Sequence, residues 1–151
     1  MRLDSFEPKE DVMKVSEVMS PKAETVSMAT SLVGAAKLMR RQAIGFLPVV
    51  EDGTVVGVLT DRDIVLRAIS EGRNPYMTIV SDVMTPVLIW CYADDVLTEA
   101  AQLMEDNHIR RLLVLDDKKR LVGVLSLDDL AAKMSSDRLL GTIVRNTTAA
   151  A

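Results

Sequence analysis

The 151-residue chain has one cysteine, one histidine, one tryptophan, two tyrosines and two phenylalanines. A single cysteine, Cys91, excludes an intrachain disulfide and fits a reducing compartment. Its plainest role is that of a small core side chain. A single histidine, His108, removes most of the basis for a histidine-rich metal site or a Ser-His-Asp triad. Aromatic residues make up 3% of the chain, so its 48% hydrophobic content must form a core of Val, Leu, Ile, Ala and the nine Met. A basic excess is also missing. The net charge of −4 argues against non-specific binding to nucleic acid or to an anionic membrane. No apolar run approaches the length of a membrane-spanning helix, and the charged opening segment lacks the apolar stretch of a signal peptide. The expectation is a cytoplasmic protein that engages neither nucleic acid nor membrane.

What the chain does have is an internal repeat. Val18-Met19-Ser20-Pro21 returns as Val83-Met84-Thr85-Pro86, so position 19 recurs at position 84, an offset of 65. The same offset carries Ala35-Ala36 onto Ala100-Ala101, Leu38-Met39 onto Leu103-Met104, Ile44 onto Ile109 and Leu47 onto Leu112. Gly57-Val58-Leu59-Thr60 then matches Gly123-Val124-Leu125-Ser126, with position 57 recurring at 123, an offset of 66. The extra residue falls where Glu51–Thr54 faces Asp116–Arg120. Insertions collect in turns, which marks these two segments as hairpin loops.

Each copy predicts the same series of elements. A short strand comes first, over Thr25–Ser27 and Leu88–Tyr92. A helix follows, capped by Thr30 or Asp95. It buries Leu32, Ala35, Ala36 and Met39 in one copy, and Leu97, Ala100, Ala101 and Met104 in the other. A hairpin pairs Phe46–Val50 with Val55–Leu59, and Leu112–Leu115 with Leu121–Leu125. Asp52-Gly53 supplies a strong turn signal. A second helix closes each copy, near Asp61–Ser70 and Leu127–Met134. The domain expectation is an N-terminal extension over 1–14, repeat 1 over 15–75, repeat 2 over 76–136 and a tail over 137–151. The fold class is α/β (α+β), with two β-α-β-β-α repeats related by a pseudo-twofold.

The segments that carry chemistry read Gly, two apolar residues, Thr or Ser, two variable positions, then Asp. Thr60 with Asp63, and Ser126 with Asp129, stand at strand-to-helix junctions. Helix capping alone explains such spacing. The same geometry also suits a ligand: a helix N-terminus attracts anions, and a carboxylate beside it can accept both hydroxyls of a ribose.

The doubled series of Val-Met-[Ser/Thr]-Pro, Ala-Ala helix, Ile-x-x-Leu-x-Val strand and terminal Asp resembles a tandem pair of cystathionine-β-synthase (CBS) domains. Such a pair is called a Bateman module, here of the stand-alone bacterial or archaeal type. The resemblance runs from about Val15 to about Met134. It implies adenosyl ligands (AMP, ADP, ATP or S-adenosylmethionine) held in clefts between the two repeats, with no required cofactor, no metal and no catalysis. It assigns ribose or phosphate contacts to Thr60, Asp63, Ser126 and Asp129. His108-Ile109-Arg110-Arg111-Leu112 is similar to an Ile-His-Arg-Leu segment in the regulatory subunit of AMP-activated protein kinase. Arg110 and Arg111 are therefore phosphate candidates, and Arg62 is a third. Alternation along a strand would place Arg110 and Arg111 on opposite faces. Thr25, Ile44, Trp90 and Ile109 are the adenine-side candidates. The expected function is a regulatory, ligand-sensing homodimer acting on an unidentified effector protein. The alternative is a ligand-free dimerisation scaffold of the same fold.

Overall fold

The computed structural model describes residues 13–87 and 89–133. Expectations for 1–12, Leu88, Met134 and the 137–151 tail lie outside these residues. The chain divides into two compact units. Among the described residues, one comprises 13–22 with 89–133 and the other comprises 23–87.

The unit formed by 23–87 contains α1 (Leu32–Gln42), an antiparallel hairpin of β1 (Phe46–Glu51) and β2 (Thr54–Thr60), α2 (Asp61–Ile64) continued by a π-helical turn over Val65–Ile69, and the short α3 (Val80–Val83). The expected first strand, Thr25–Ser27, is reduced to one parallel bridge between Val26 and Val49. Asp52 and Gly53 both have positive φ, 50° and 78°. A two-residue hairpin turn that follows the strand twist needs this conformation. Leu32, Ala35, Leu47, Val49, Leu59 and Ala68 are fully buried and form the core with Val80 and Val83.

The unit formed by 13–22 and 89–133 repeats the plan. It has β3 (Trp90–Tyr92), α4 (Leu97–Asn107), β4 (Arg111–Leu115), β5 (Leu121–Ser126) and α5 (Leu127–Lys133). Its sheet runs β3-β4-β5, with β3 parallel and β5 antiparallel to β4. The core is built on Val15, Ala101, Met104, Val114, Leu125 and Leu130. Cys91 is part of it at 2% exposure. The longer turn over Asp116–Arg120 carries the extra residue. Its Asp116 carboxylate accepts the N–H groups of Lys118 and Arg120 at 2.9 and 2.8 Å and the Arg120 Nε at 2.8 Å.

Helix entry departs from the expected caps. Ser31, not Thr30, caps α1, accepting the Gly34 N–H at 3.1 Å. Thr30 instead shares its hydroxyl with Ser27. The α4 N-cap is Val96, which has no side-chain cap, while Asp95 accepts the Tyr92 N–H at 2.8 Å. Backbone does the capping in its place: the Leu97 N–H reaches the Met13 carbonyl at 2.7 Å, as the Leu32 N–H reaches the Thr78 carbonyl at 3.0 Å. These first-turn donors would otherwise lack partners. Ala36, expected in the core, is exposed, unlike its counterpart Ala101.

The compact units and the sequence repeats are cut differently. The Val-Met-Ser segment that opens repeat 1 bridges β5 of repeat 2, through Ser20 and Val124. The Val-Met-Thr segment that opens repeat 2 bridges β2 of repeat 1, through Thr85 and Val58. Glycine makes this approach possible. A Cβ on Gly57 would stand 2.9 Å from the Thr85 carbonyl oxygen, and one on Gly123 would stand 2.7 Å from the Ser20 carbonyl oxygen.

Two outcomes follow. Gly123→Ala is expected to destabilise the protein by about 1–3 kcal/mol through overpacking against backbone, and Gly57→Ala by less, as read by urea unfolding. The Asp116 carboxyl is held below the usual carboxylate range, chiefly by the Arg120 backbone N–H. A lowered folded-state pKa stabilises above the unfolded value, and that contribution is lost as pH falls through the folded one. Asp116→Asn should therefore lower the urea midpoint at pH 7. The difference from wild type should shrink below about pH 4, the ordinary aspartate value, and vanish at stronger acidity.

Candidate functional site

The two strand-to-helix junctions have the same local chemistry. Where β2 ends, Thr60 Oγ1 accepts the Asp63 N–H at 3.0 Å, and Asp63 Oδ2 accepts the Thr60 N–H at 3.0 Å. Where β5 ends, Ser126 Oγ accepts the Asp129 N–H at 3.1 Å, and Asp129 Oδ2 accepts the Ser126 N–H at 2.9 Å. These are reciprocal capping boxes. They fix each carboxylate in the first helical turn, where the helix dipole favours negative charge.

The preceding loop is tied to the same place in both units. The Asp61 N–H donates to the Gly45 carbonyl at 3.0 Å, and the Leu127 N–H donates to the Arg110 carbonyl at 2.9 Å. Each loop leaves a helix through a left-handed residue, Ala43 or His108, both at φ 53°. Strand register then sets Phe46 opposite Thr60 and Arg111 opposite Ser126. Directly opposed residues of an antiparallel pair share a face. Arg111 and Ser126 are thus neighbours on one side of their sheet, as Phe46 and Thr60 are on theirs.

The unit formed by 23–87 contains Thr25, Ile44, Thr60, Arg62 and Asp63. Thr25 is exposed beside the Val26 bridge, and Arg62 is exposed on α2. Ile44 instead lines a groove of about 470 Å³ between α1 and α2, with Met39, Arg40, Gly45, Asp61 and Val65. Thr60 and Asp63 are not part of that groove. The other unit contains Trp90, Ile109, Arg110, Arg111, Ser126 and Asp129. Trp90 is half-buried in β3 opposite Leu113, and Ile109 packs on the core. Arg110 precedes β4 rather than lying within it, so strand alternation governs only Arg111.

Sequence reasoning missed Phe46, Thr85 and Arg67. Phe46 could have been found as the residue 65 positions before Arg111. Thr85 donates its hydroxyl to Asp63 at 3.3 and 3.4 Å, a contact between segments that no local pattern announces. Arg67 stands one helical turn after Asp63, with Nε 3.9 Å from Oδ1. Among the described residues, no group of His, Cys, Asp and Glu is arranged to hold a metal ion, and no helix is long and apolar enough to cross a membrane.

Cys91 is buried in the core cluster of its unit. Desolvation first, and the nearby Asp95 charge second, push its thiol up to about 12. Thiolate is the reactive form, so alkylation at pH 8 should leave Cys91 unmodified in the native protein and modify it fully in denaturant, as read by mass spectrometry. Thr60→Ala and Ser126→Ala each remove one capping acceptor. Each should cost about 1 kcal/mol of unfolding free energy.

Comparison with known proteins is consistent across sequence and structure. The CBS domain family matches the chain twice, at residues 15–69 and 80–136. A CBS domain-containing protein of Bacillus subtilis, YhcV, is 39% identical over 132 residues, which cover 87% of this chain and 93% of YhcV. The crystal structure of a conserved CBS domain protein of Thermoplasma acidophilum, TA0289, superposes with a TM-score of 0.78 at 28% identity, covering 90% of this chain and 76% of that one. The CBS domain pair of protein MJ0100, in complex with 5′-methylthioadenosine and S-adenosyl-L-methionine, gives a TM-score of 0.70 at 26% identity, covering 80% of this chain and 98% of that one. With two family matches in tandem and mixed α/β units of the expected kind, the chain belongs to the CBS domain family as a tandem CBS pair.

Proposed function

We propose that this protein is a regulatory module that binds an adenosyl ligand at the Thr60–Asp63 and Ser126–Asp129 junctions and signals occupancy by a change of conformation. The observation that carries the reading is the duplication of one arrangement: a hydroxyl and a carboxylate fixed at a helix N-terminus in both units. Each carboxylate spends one oxygen on the cap; the other is the proposed acceptor for ribose hydroxyls, in competition with Thr85 at Asp63. The adenosyl ligands bound by the CBS pair of MJ0100 support this choice of ligand class. A switch also requires that the ligand bind its two conformations unequally.

The two junctions should differ in their preference for phosphate. Arg111 sits across from Ser126, and Arg110 is fastened by its carbonyl to the start of α5. The other junction has Phe46 and Gly45 at these positions, with Asp61 packed against Gly45. Its cations are Arg62 and Arg67, the latter paired with Asp63. AMP, ADP or ATP therefore suits the Ser126–Asp129 junction, while the Thr60–Asp63 junction should be less sensitive to phosphate number. We further propose a homodimer through the helices. Val65, Leu66 and Ile69, on the helix after Thr60, are 53%, 46% and 51% exposed, an apolar strip that water solvates poorly. The proposed reader of that state is an unidentified effector protein.

The capping boxes favour one second reading, a ligand-free dimerisation scaffold, because they account for all four residues without a ligand. Calorimetry separates the two. Asp63→Asn and Asp129→Asn keep a capping oxygen but lose charge, and each should abolish or weaken one of two adenosyl sites. A charge-assisted bond to phosphate is worth about 1.5–3 kcal/mol. Arg111→Ala should therefore weaken AMP about 10- to 100-fold at the Asp129 site, with little effect on adenosine. Absence of any heat with AMP, ATP and S-adenosylmethionine would leave the scaffold reading.

A further inference from the structure

We infer that Asp63 is also a latch for the turn that opens repeat 2, and that Thr85 and Arg67 are positioning residues that set ligand affinity at the Asp63 junction. This rests on the adenosyl-binding reading above. The Asp63 side chain is 12% exposed, and both of its oxygens already have partners. Oδ2 takes the Thr60 N–H, the Thr85 hydroxyl is shared between Oδ1 and Oδ2, and the Arg67 guanidinium faces Oδ1. Arg67 also donates from one nitrogen to the carbonyls of Val83 and Met84 at 3.3 and 3.2 Å. Arg67 and Asp63 together therefore grip three consecutive residues, Val83, Met84 and Thr85. Backbone completes the hold: the N–H of Val58 meets the carbonyl of Thr85, and the N–H of Thr85 meets the carbonyl of Val58, both at 2.8 Å.

The other junction has the backbone part of this arrangement without the side-chain part. Ser20 and Val124 exchange backbone bonds of 2.9 and 3.1 Å. At Asp129 the hydrogen bonds seen among the described residues are those of the cap with Ser126, with no counterpart of the Thr85 hydroxyl among them. The residue 66 positions after Arg67 is Lys133, whose single ammonium cannot reproduce the fork of a guanidinium. A carboxylate offers about four lone-pair positions. Two ribose hydroxyls at Asp63 must therefore compete with the Thr85 hydroxyl, which spans both oxygens, whereas the described bonds at Asp129 are those of the cap. Asp129 is the tighter, uncoupled site. Asp63 is the weaker one, and its occupancy loosens the Val83–Thr85 turn.

The test uses AMP as probe and the full-length chain. In an Asp129→Ala background, Thr85→Val removes the competing hydroxyl at nearly constant shape. It should tighten AMP roughly fivefold, about the worth of one hydrogen bond. A residue with a merely structural role would weaken binding when altered. Hydrogen exchange supplies an arm that needs no ligand. Thr85→Val and Arg67→Gln should each speed exchange at the Val58 and Thr85 amides at least fivefold, leaving those of Ser20 and Val124 unchanged. Unchanged exchange at Val58 and Thr85 in both variants overturns the latch whether or not AMP binds. Normal AMP binding in the Asp129→Ala protein with no gain from Thr85→Val overturns the affinity claim and leaves the adenosyl reading intact. Failure of AMP to bind the wild-type protein counts against the adenosyl reading, and hence the affinity claim, while the exchange result still decides the latch.

Discussion

A helix that starts directly from the end of a strand has first-turn N–H groups that neither element can satisfy. This protein meets that constraint twice with the same device, a hydroxyl on the last strand residue and a carboxylate three positions on, each accepting from the other's backbone. Much else is arranged around those junctions. The hairpin ends in register with them, the loop before the hairpin hydrogen-bonds to their first helical residue, and the carboxylate is left at a fixed place with one oxygen free of the cap. On the proposed reading, a residue pair that begins a helix would also serve as a rigid acceptor for a ligand, because rotamer freedom has already been removed when the helix forms.

The second constraint is the close approach of backbone at Gly57 and Gly123. Each repeat's opening segment bridges the last hairpin strand of the other repeat, and each bridge lies where glycine leaves room for a carbonyl. The chain is thus interleaved: neither compact unit is complete without a segment supplied by the neighbouring repeat. The Val-Met-[Ser/Thr]-Pro motif acquires a structural meaning from this. Its apolar residues enter the core, as Val83 does, and its hydroxyl residue forms the bridge.

Periodicity made the hairpins, α1, α4 and their buried faces legible, because those patterns are local. The extra residue of repeat 2 was correctly placed in the 116–120 turn, since a hairpin loop absorbs an insertion without shifting register. The α1 cap was misplaced by one residue, onto Thr30 beside Ser31, and the α4 cap was misplaced because its partner is a distant backbone carbonyl, that of Met13. Thr60, Asp63, Ser126 and Asp129 were picked out by spacing, and the pairwise capping bonds were foreseen. The interleaving was not foreseen, because a repeat in sequence carries no sign of which hairpin its opening segment joins. The engagement of Asp63 by Thr85 was hidden for the same reason.

The central claim is that the duplicated junctions serve an adenosyl ligand. Thermal unfolding tests it most directly, using AMP, ADP, ATP, NAD and S-adenosylmethionine beside GMP and CMP. A ligand present at about 100 times its dissociation constant adds roughly 2.7 kcal/mol per site, equivalent to a rise in Tm of about 5–10 °C for a chain of this size. The account predicts such a rise for at least one adenosyl ligand and none for GMP or CMP. Equal shifts with all nucleotides, or no shift with any adenosyl ligand, would contradict it.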